Sequence, residues 1–149
     1  MAHSKHILPQ FHLPVQHGND EILRRMNRHY NRAQYLDRVR KLREAIPAIG
    51  LTTDIIVGFP GETEEQFQEL LDFLPEAEFD RLGAFTYSPE EGTPAAKMPD
   101  QIPEEVKAER LDRLMKRQAA IARKKNQARV GTVEKVLVTD RNVLSLIHI

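Results

Sequence analysis

The residues best placed to do chemistry lie in Gly58-Phe59-Pro60-Gly61-Glu62-Thr63-Glu64-Glu65, where the apolar run Ile55-Ile56-Val57 ends in a glycine turn and a helix signal follows at once. Thr63 and Gln66 have the spacing of a capping box, in which each side chain satisfies a backbone N–H of the first helical turn. The stretch therefore predicts a buried strand, a tight loop and a helix start. In α/β folds, ligands sit beyond the carboxyl ends of the strands, where such loops gather. No Gly-Lys-Ser/Thr follows the loop and no Gly-x-Gly-x-x-Gly is present, so neither a P-loop nor a dinucleotide fingerprint is predicted. The loop N–H groups suit an anionic or polar ligand. Glu62, Glu64 and Glu65 oppose a phosphate and favour an ammonium or sulfonium, which points to an amino-acid-like or methionine-derived cofactor. An ordinary βα loop without a ligand is the alternative.

The chain has six histidines, scattered over turns and entry segments, with none of the helical His-Glu-x-x-His spacing of zinc hydrolases. No metal site is predicted on them, but His12 and His17 flank the end of a strand and could face a bound ligand. Phe85 and Tyr87 stand two apart, which on a strand puts them on one side. Core packing is the ordinary meaning of such a pair, and a base-stacking platform the sharper one.

The elements that must position these residues follow from periodicity and breakers. Phe11 to Gln16, with Pro14 inside it, reads as a strand end, and Asn19 or Asp20 caps a short helix. A second helix is predicted from Arg32 to Ala45, with Tyr35, Leu36, Val39, Leu42 and Ile46 on its apolar face and Pro47 as its stop. Leu51 to Val57 is the central strand. A helix from Glu64 to Leu74, ended by Pro75, leads to a third strand at Arg81 to Tyr87. Strands separated by helices make parallel βαβ units. Ser88 to Ile102 is a long Pro-, Gly- and acid-rich loop. Pro103 then opens a helix predicted to reach about Arg129, with Val106, Leu111, Leu114, Met115 and Ile121 buried. Val133 to Thr139 begins a strand of a separate, smaller unit.

At 149 residues, 40% apolar and 30% charged, the composition is that of a globular domain or a piece of a larger one. The absence of cysteine removes disulfides, thiolate nucleophiles and cysteine-ligated clusters from this chain. No apolar run is long enough to span a bilayer, and Met1 to Gln10 lacks the apolar core of a secretory leader, so a cytoplasmic protein without membrane partners is expected. Net charge is zero but segregated: residues 54–103 carry twelve acids against Arg81 and Lys97, whereas Lys116 to Arg129 holds six bases and no acid. A solvated helix face, the helix dipole and a charged macromolecular partner all fit that pattern.

Four segments carry a family resemblance. Leu13-Pro14-Val15-Gln16-His17-Gly18-Asn19-Asp20, then Met26-Asn27-Arg28, Asp54 through Glu65, and Tyr87-Ser88-Pro89-Glu90-Glu91-Gly92-Thr93-Pro94-Ala95-Ala96 resemble the radical S-adenosylmethionine methylthiotransferases of the RimO/MiaB type. The resemblance covers about residues 8–143. It implies half of a TIM-like (β/α) barrel over residues 1–130, with parallel strands, crossover helices and a long C-terminal helix. That helix leads into the first strand of a truncated TRAM β-domain at 131–143. Residues 144–149 match the translation of a common sequencing-library transposon end and are expected to be non-native.

The same resemblance implies S-adenosylmethionine as cofactor, together with two [4Fe-4S] clusters in the parent protein whose ligands this chain lacks. It carries Gln16, Asp54, Ile56, Gly58, Phe85 and Tyr87 over as cofactor-binding positions, with no catalytic acid or base and no metal ligand. Asp54 departs from the common pattern, which has glycine there. The implied parent reaction inserts a methylthio group at an unactivated C–H bond, fed by an electron donor. Gln16-His17, Phe79 to Phe85 and Glu90 to Thr93 point to an aspartate of a small-subunit ribosomal protein as substrate. His12 and Thr53-Asp54 point instead to a transfer-RNA adenosine. A non-catalytic module docking RNA or the ribosome through the Lys116 to Arg129 helix is the alternative of another class.

Overall fold

A computed structural model of the chain describes residues 9–133, 137–140 and 143–145. Three strands, β1 (Gln10–His12), β2 (Gly50–Val57) and β3 (Arg81–Thr86), form an all-parallel sheet in the order β1-β2-β3. Between them run α1 (Asp20–Arg25), α2 (Arg32–Ala45) and α3 (Glu64–Ala77), and after β3 comes α4 (Glu104–Gln127). This is the predicted α/β architecture, an open parallel sheet with crossover helices, consistent with part of a barrel.

The sheet is covered on one face only. Along β2 burial alternates strictly: Leu51, Thr53, Ile55 and Val57 are buried, while Gly50, Thr52, Asp54 and Ile56 are half-exposed. The buried face packs against Tyr35 and Val39 of α2, Phe67, Leu70, Phe73 and Leu74 of α3, and Leu114 of α4. Tyr35, Phe73 and Phe79 meet in a triangle of rings with centroids 5.8 to 6.2 Å apart. Burying each such ring contributes roughly 1.5–3 kcal/mol. Gly18 lies so close to α3 that a Cβ there would stand 2.8 Å from the Cβ of Phe73.

Helix starts follow their capping signals. Asn19 caps α1, and Asn31 with Gln34 and Thr63 with Gln66 form reciprocal boxes at α2 and α3. Pro75 does not end α3, which continues through it to Ala77. The ring costs one hydrogen bond in the final turn, and an interior proline costs about 3 kcal/mol. Burial of Phe73, Leu74 and Ala77 outweighs that, and Glu78, in the left-handed region at φ 49°, closes the helix by donating its N–H to Leu74 O.

The inward face of α4 also differs from expectation. Its buried residues are Lys107, Arg110, Leu114 and Gln118, while Met115 is exposed and Val106, Leu111 and Ile121 are only half-buried. Three of the four are polar because each has a partner on another element. At the far end of α4, Lys125 donates to Glu78 O and pairs with Asp80 at 2.6 Å, so part of the basic stretch neutralises the end of α3. The C-terminal strand begins at Leu137 within the described residues, and β4 (Leu137–Asp140) pairs antiparallel with β5 (Val143–Ser145). Leu144 and Ser145 of the suspected tail therefore lie in a strand, and residues 146–149 fall outside the described ones.

Candidate active site at the carboxyl end of the sheet

Three of the six predicted site residues lie close together at the carboxyl strand ends, with Ile56 in register with Phe85 and Gln16 one residue out of that register, opposite Ile55. Gln16 bridges β2 beside Ile55, accepts from the N–H of Ile56 at 2.9 Å and donates its own N–H to Asp54 O at 2.9 Å. Gln16, Ile56 and Phe85 thus cross the carboxyl ends of all three strand paths. Gln16 holds a left-handed backbone, φ 69°, which disfavours a residue bearing a Cβ and is a recurrent mark of functional sites. Phe85 is 57% exposed on the uncovered face and so takes no part in the core described above. An exposed ring beside a half-exposed isoleucine, next to a strand end with a backbone turned to αL, fits a flat, partly apolar group such as a nucleoside.

Two further predicted residues sit at the margins of this group. Asp54 lies one step deeper on the same face, opposite Gly83, where a Cβ would stand 2.6 Å from its Oδ1. Its other oxygen is 3.3 Å from His12 Nε2, and His12 Nδ1 is 2.8 Å from the Thr52 hydroxyl. This exposed His12–Asp54 pair gives Asp54 a protein partner. Tyr87 does not share a platform with Phe85. Its ring packs edge-on against Phe59 at 5.4 Å and under Lys107 at 5.6 Å, and its hydroxyl is sealed from solvent without a hydrogen-bond partner. β3 stops at Thr86, so the two-residue alternation no longer governs Tyr87.

The glycine turn is built around Glu62, the acid that its sequence position offered to a cationic ligand. Glu62 is 2% exposed. Its Oε2 accepts from the N–H of Gly58 at 3.0 Å and lies 3.1 Å from His17 Nε2, while Oε1 pairs with Arg110 at 2.7 Å. His17 Nδ1 accepts from the Asn19 N–H at 3.0 Å, so the ring proton is on Nε2, facing Glu62. Both side chains are committed to the fold, and neither faces a ligand. Glu64 is likewise paired with Arg113 at 2.7 Å. Glu62 and Glu64 therefore give no support to a sulfonium, and the case for a cofactor rests on Gln16, Ile56 and Phe85.

Gly58 itself sits at φ +72°, with the stem of Lys107 so close that a Cβ would fall 2.4 Å from Lys107 Cγ. Gly61, at φ +71°, donates its N–H to Asp100 O at 2.8 Å, which pins the long 88–102 loop beside the turn. A cavity of about 150 Å³ exists at the opposite, amino end of the strands, lined by Gln10, Gly50, Thr52 and Arg81. Its Lys125 is already held by Asp80. Ligands of parallel sheets bind at the other end.

No group of His, Cys, Asp and Glu among the described residues could hold a metal ion, and the chain has no cysteine. The residues present therefore do not fit an iron–sulfur cluster. Sequence reasoning named Gln16, Ile56 and Phe85 through the family pattern. It missed Lys107 and Arg110, whose partners lie 20 and 48 positions away.

The family model of the radical SAM superfamily matches residues 1–74. A transfer-RNA 2-methylthio-N6-dimethylallyladenosine synthase of Clostridium botulinum is 54% identical over 129 residues, 87% of this chain and 29% of the relative. A ribosomal protein uS12 methylthiotransferase, RimO, of Geobacter sulfurreducens is 57% identical over 126 residues, 85% of this chain and 28% of the relative. A further transfer-RNA synthase, from Symbiobacterium thermophilum, is 54% identical over 138 residues, 93% of this chain and 29% of the relative. The chain spans less than a third of the length of these relatives.

Proposed function

We propose that the chain is part of a radical S-adenosylmethionine methylthiotransferase, its sheet forming one half of the enzyme's barrel, with Gln16, Ile56 and Phe85 against the adenosine part of S-adenosylmethionine. The proximity of these three residues at the carboxyl strand ends is the observation that carries the reading. When bound in such enzymes, S-adenosylmethionine supplies the oxidising chemistry that opens an unactivated C–H bond. This chain's residues bind and orient. Gln16 fixes a strand end through two backbone hydrogen bonds, Ile56 and Phe85 present an apolar surface, and Gly58 turns the chain away without a side chain. Asp54, Gly58 and Tyr87 are boundary residues of this site.

The parent reaction is methylthio insertion, with an aspartate of a small-subunit ribosomal protein as first substrate and a transfer-RNA adenosine as the second. Relatives of both names match at similar identity. Two [4Fe-4S] clusters, an electron donor and a cytoplasmic location belong to the parent in this proposal. Residues 131–143 open its TRAM domain. No helix among the described residues is long and apolar enough to cross a membrane.

The test is equilibrium binding of S-adenosylmethionine to the full-length protein, followed by mass spectrometry of transfer RNA and ribosomal protein from cells lacking its gene. Binding lost on Phe85→Ala and a missing methylthio mark support the proposal. Binding indifferent to Phe85, or both substrates fully marked in the deletion, would sink it.

A further inference from the structure

We propose that Lys107 and Arg110 of α4 are positioning residues for the cofactor: from behind the sheet they hold the carboxyl ends of β2 and β3, and so set the spacing between Ile56 and Phe85. The inference rests on the site proposed above. Lys107 is 2% exposed and touches both strand ends. Its stem fills the space that Gly58 leaves by lacking a Cβ, and its Nζ donates to Tyr87 O at 2.9 Å. Gly58 and Tyr87 lie two residues beyond Ile56 and Phe85 respectively. Arg110, one turn along α4, grips the same turn through Glu62, which in turn accepts from the Gly58 N–H.

Packing alone does not call for these residue types. A buried ammonium carries a desolvation penalty that an apolar side chain of similar volume avoids. What the ammonium supplies is a donor for the Tyr87 carbonyl, whose residue lies just past the end of β3, together with an exposed partner in Glu104 at 2.7 Å. The pair of cations thus ties two strand termini to one helix at the last rung of the ladder, where the Tyr87 N–H donates to Val57 O at 2.8 Å.

The test compares S-adenosylmethionine affinity and thermal melting in the full-length protein for three variants. Lys107→Met keeps the stem and removes the donor. Arg110→Lys keeps the charge and loses the fork. Leu114→Ala destabilises the same helix without touching either strand end. We expect Lys107→Met to weaken binding about 10-fold, in line with residues that orient a binding group from the second layer, at unchanged iron content. Arg110→Lys should fall between it and wild type, and Leu114→Ala should lower the melting temperature with affinity retained. Unchanged affinity in Lys107→Met overturns the inference while leaving the proposed site standing. Affinity that follows melting temperature across all three variants also overturns it. Failure of the wild type to bind removes the site and the inference together.

Discussion

Arg110 and Glu62 meet at 2.7 Å with both side chains almost wholly withdrawn from solvent, joining α4 to the glycine turn 48 residues earlier. A buried pair of this kind adds little over an apolar one, yet removal of one partner strands the other. Arg110→Met should therefore lower unfolding free energy by about 3–5 kcal/mol. Chemical denaturation of the full-length protein measures this, and a loss under about 1 kcal/mol, the median for a surface pair, would show that the pair is hydrated.

The glycines form a second, graded test. Gly58, Gly61 and Gly92 all have φ between +71° and +84°, so each alanine substitution meets similar backbone strain, about 1–2 kcal/mol. Their surroundings differ. A Cβ on Gly58 strikes the packed stem of Lys107, one on Gly61 meets the Arg25 guanidinium, which can swing aside, and one on Gly92 meets nothing within 4 Å. Stability should fall in the order Gly58→Ala, Gly61→Ala, Gly92→Ala, largest loss first. Equal losses would mean that strain alone governs all three.

How much of this was legible in the sequence depends on how far each signal's partner lies. Thr63 and Gln66 are neighbours on one turn, and their capping box formed as read. The alternation in β2 put Asp54 and Ile56 on one face, again a local property. Glu62 was misread as a ligand-facing acid because its three partners, Arg110, His17 and the Gly58 N–H, include two from distant elements. The buried face of α4 was misplaced for the same reason. An apolar-periodicity reading selects Met115 over Arg110, whereas the fold buries Arg110 on Phe67, 5.5 Å from its ring, and leaves Met115 in solvent.

Phe85 separates site from scaffold. Phe73, fully buried in the aromatic triangle, should cost about 3–5 kcal/mol on truncation to alanine. Phe85, largely exposed, should change stability by no more than about 0.5 kcal/mol. Its truncation should nonetheless lower cofactor affinity. Paired melting and binding curves check both halves, and a Phe85→Ala protein that melts like Phe73→Ala would return Phe85 to the core.

Tyr35 predicts the alkaline limit of the fold. Burial is the main cause that raises its phenol pKa well above the usual value, and its hydroxyl donates to Leu13 O at 2.5 Å. The unfolded phenol ionises near pH 10, so the unfolded chain releases this proton first. The contribution of Tyr35 is thus complete below about pH 10 and declines as pH rises from there toward the folded pKa. Stability measured between pH 9 and about 11.5 should fall with a slope that Tyr35→Phe reduces. An unchanged slope would assign the alkaline loss to other groups.

The uncovered sheet face and the β1 and β3 edges make a prediction about the isolated chain. β1 and β3 each have one strand neighbour, and Phe85 projects from the bare face beside β3. Unpaired strand edges template association. A second half-barrel covers both features in the proposed parent, whereas among the described residues only charges such as Arg81 and Asp54 stand against them. It should therefore self-associate at micromolar concentration, with hydrogen exchange fastest in β1 and β3 and slowest in β2 and α3, whose residues fill the core. A monomer with a sharp two-state melt by sedimentation and calorimetry would show that the segment is autonomous, and the edge argument would fail with it.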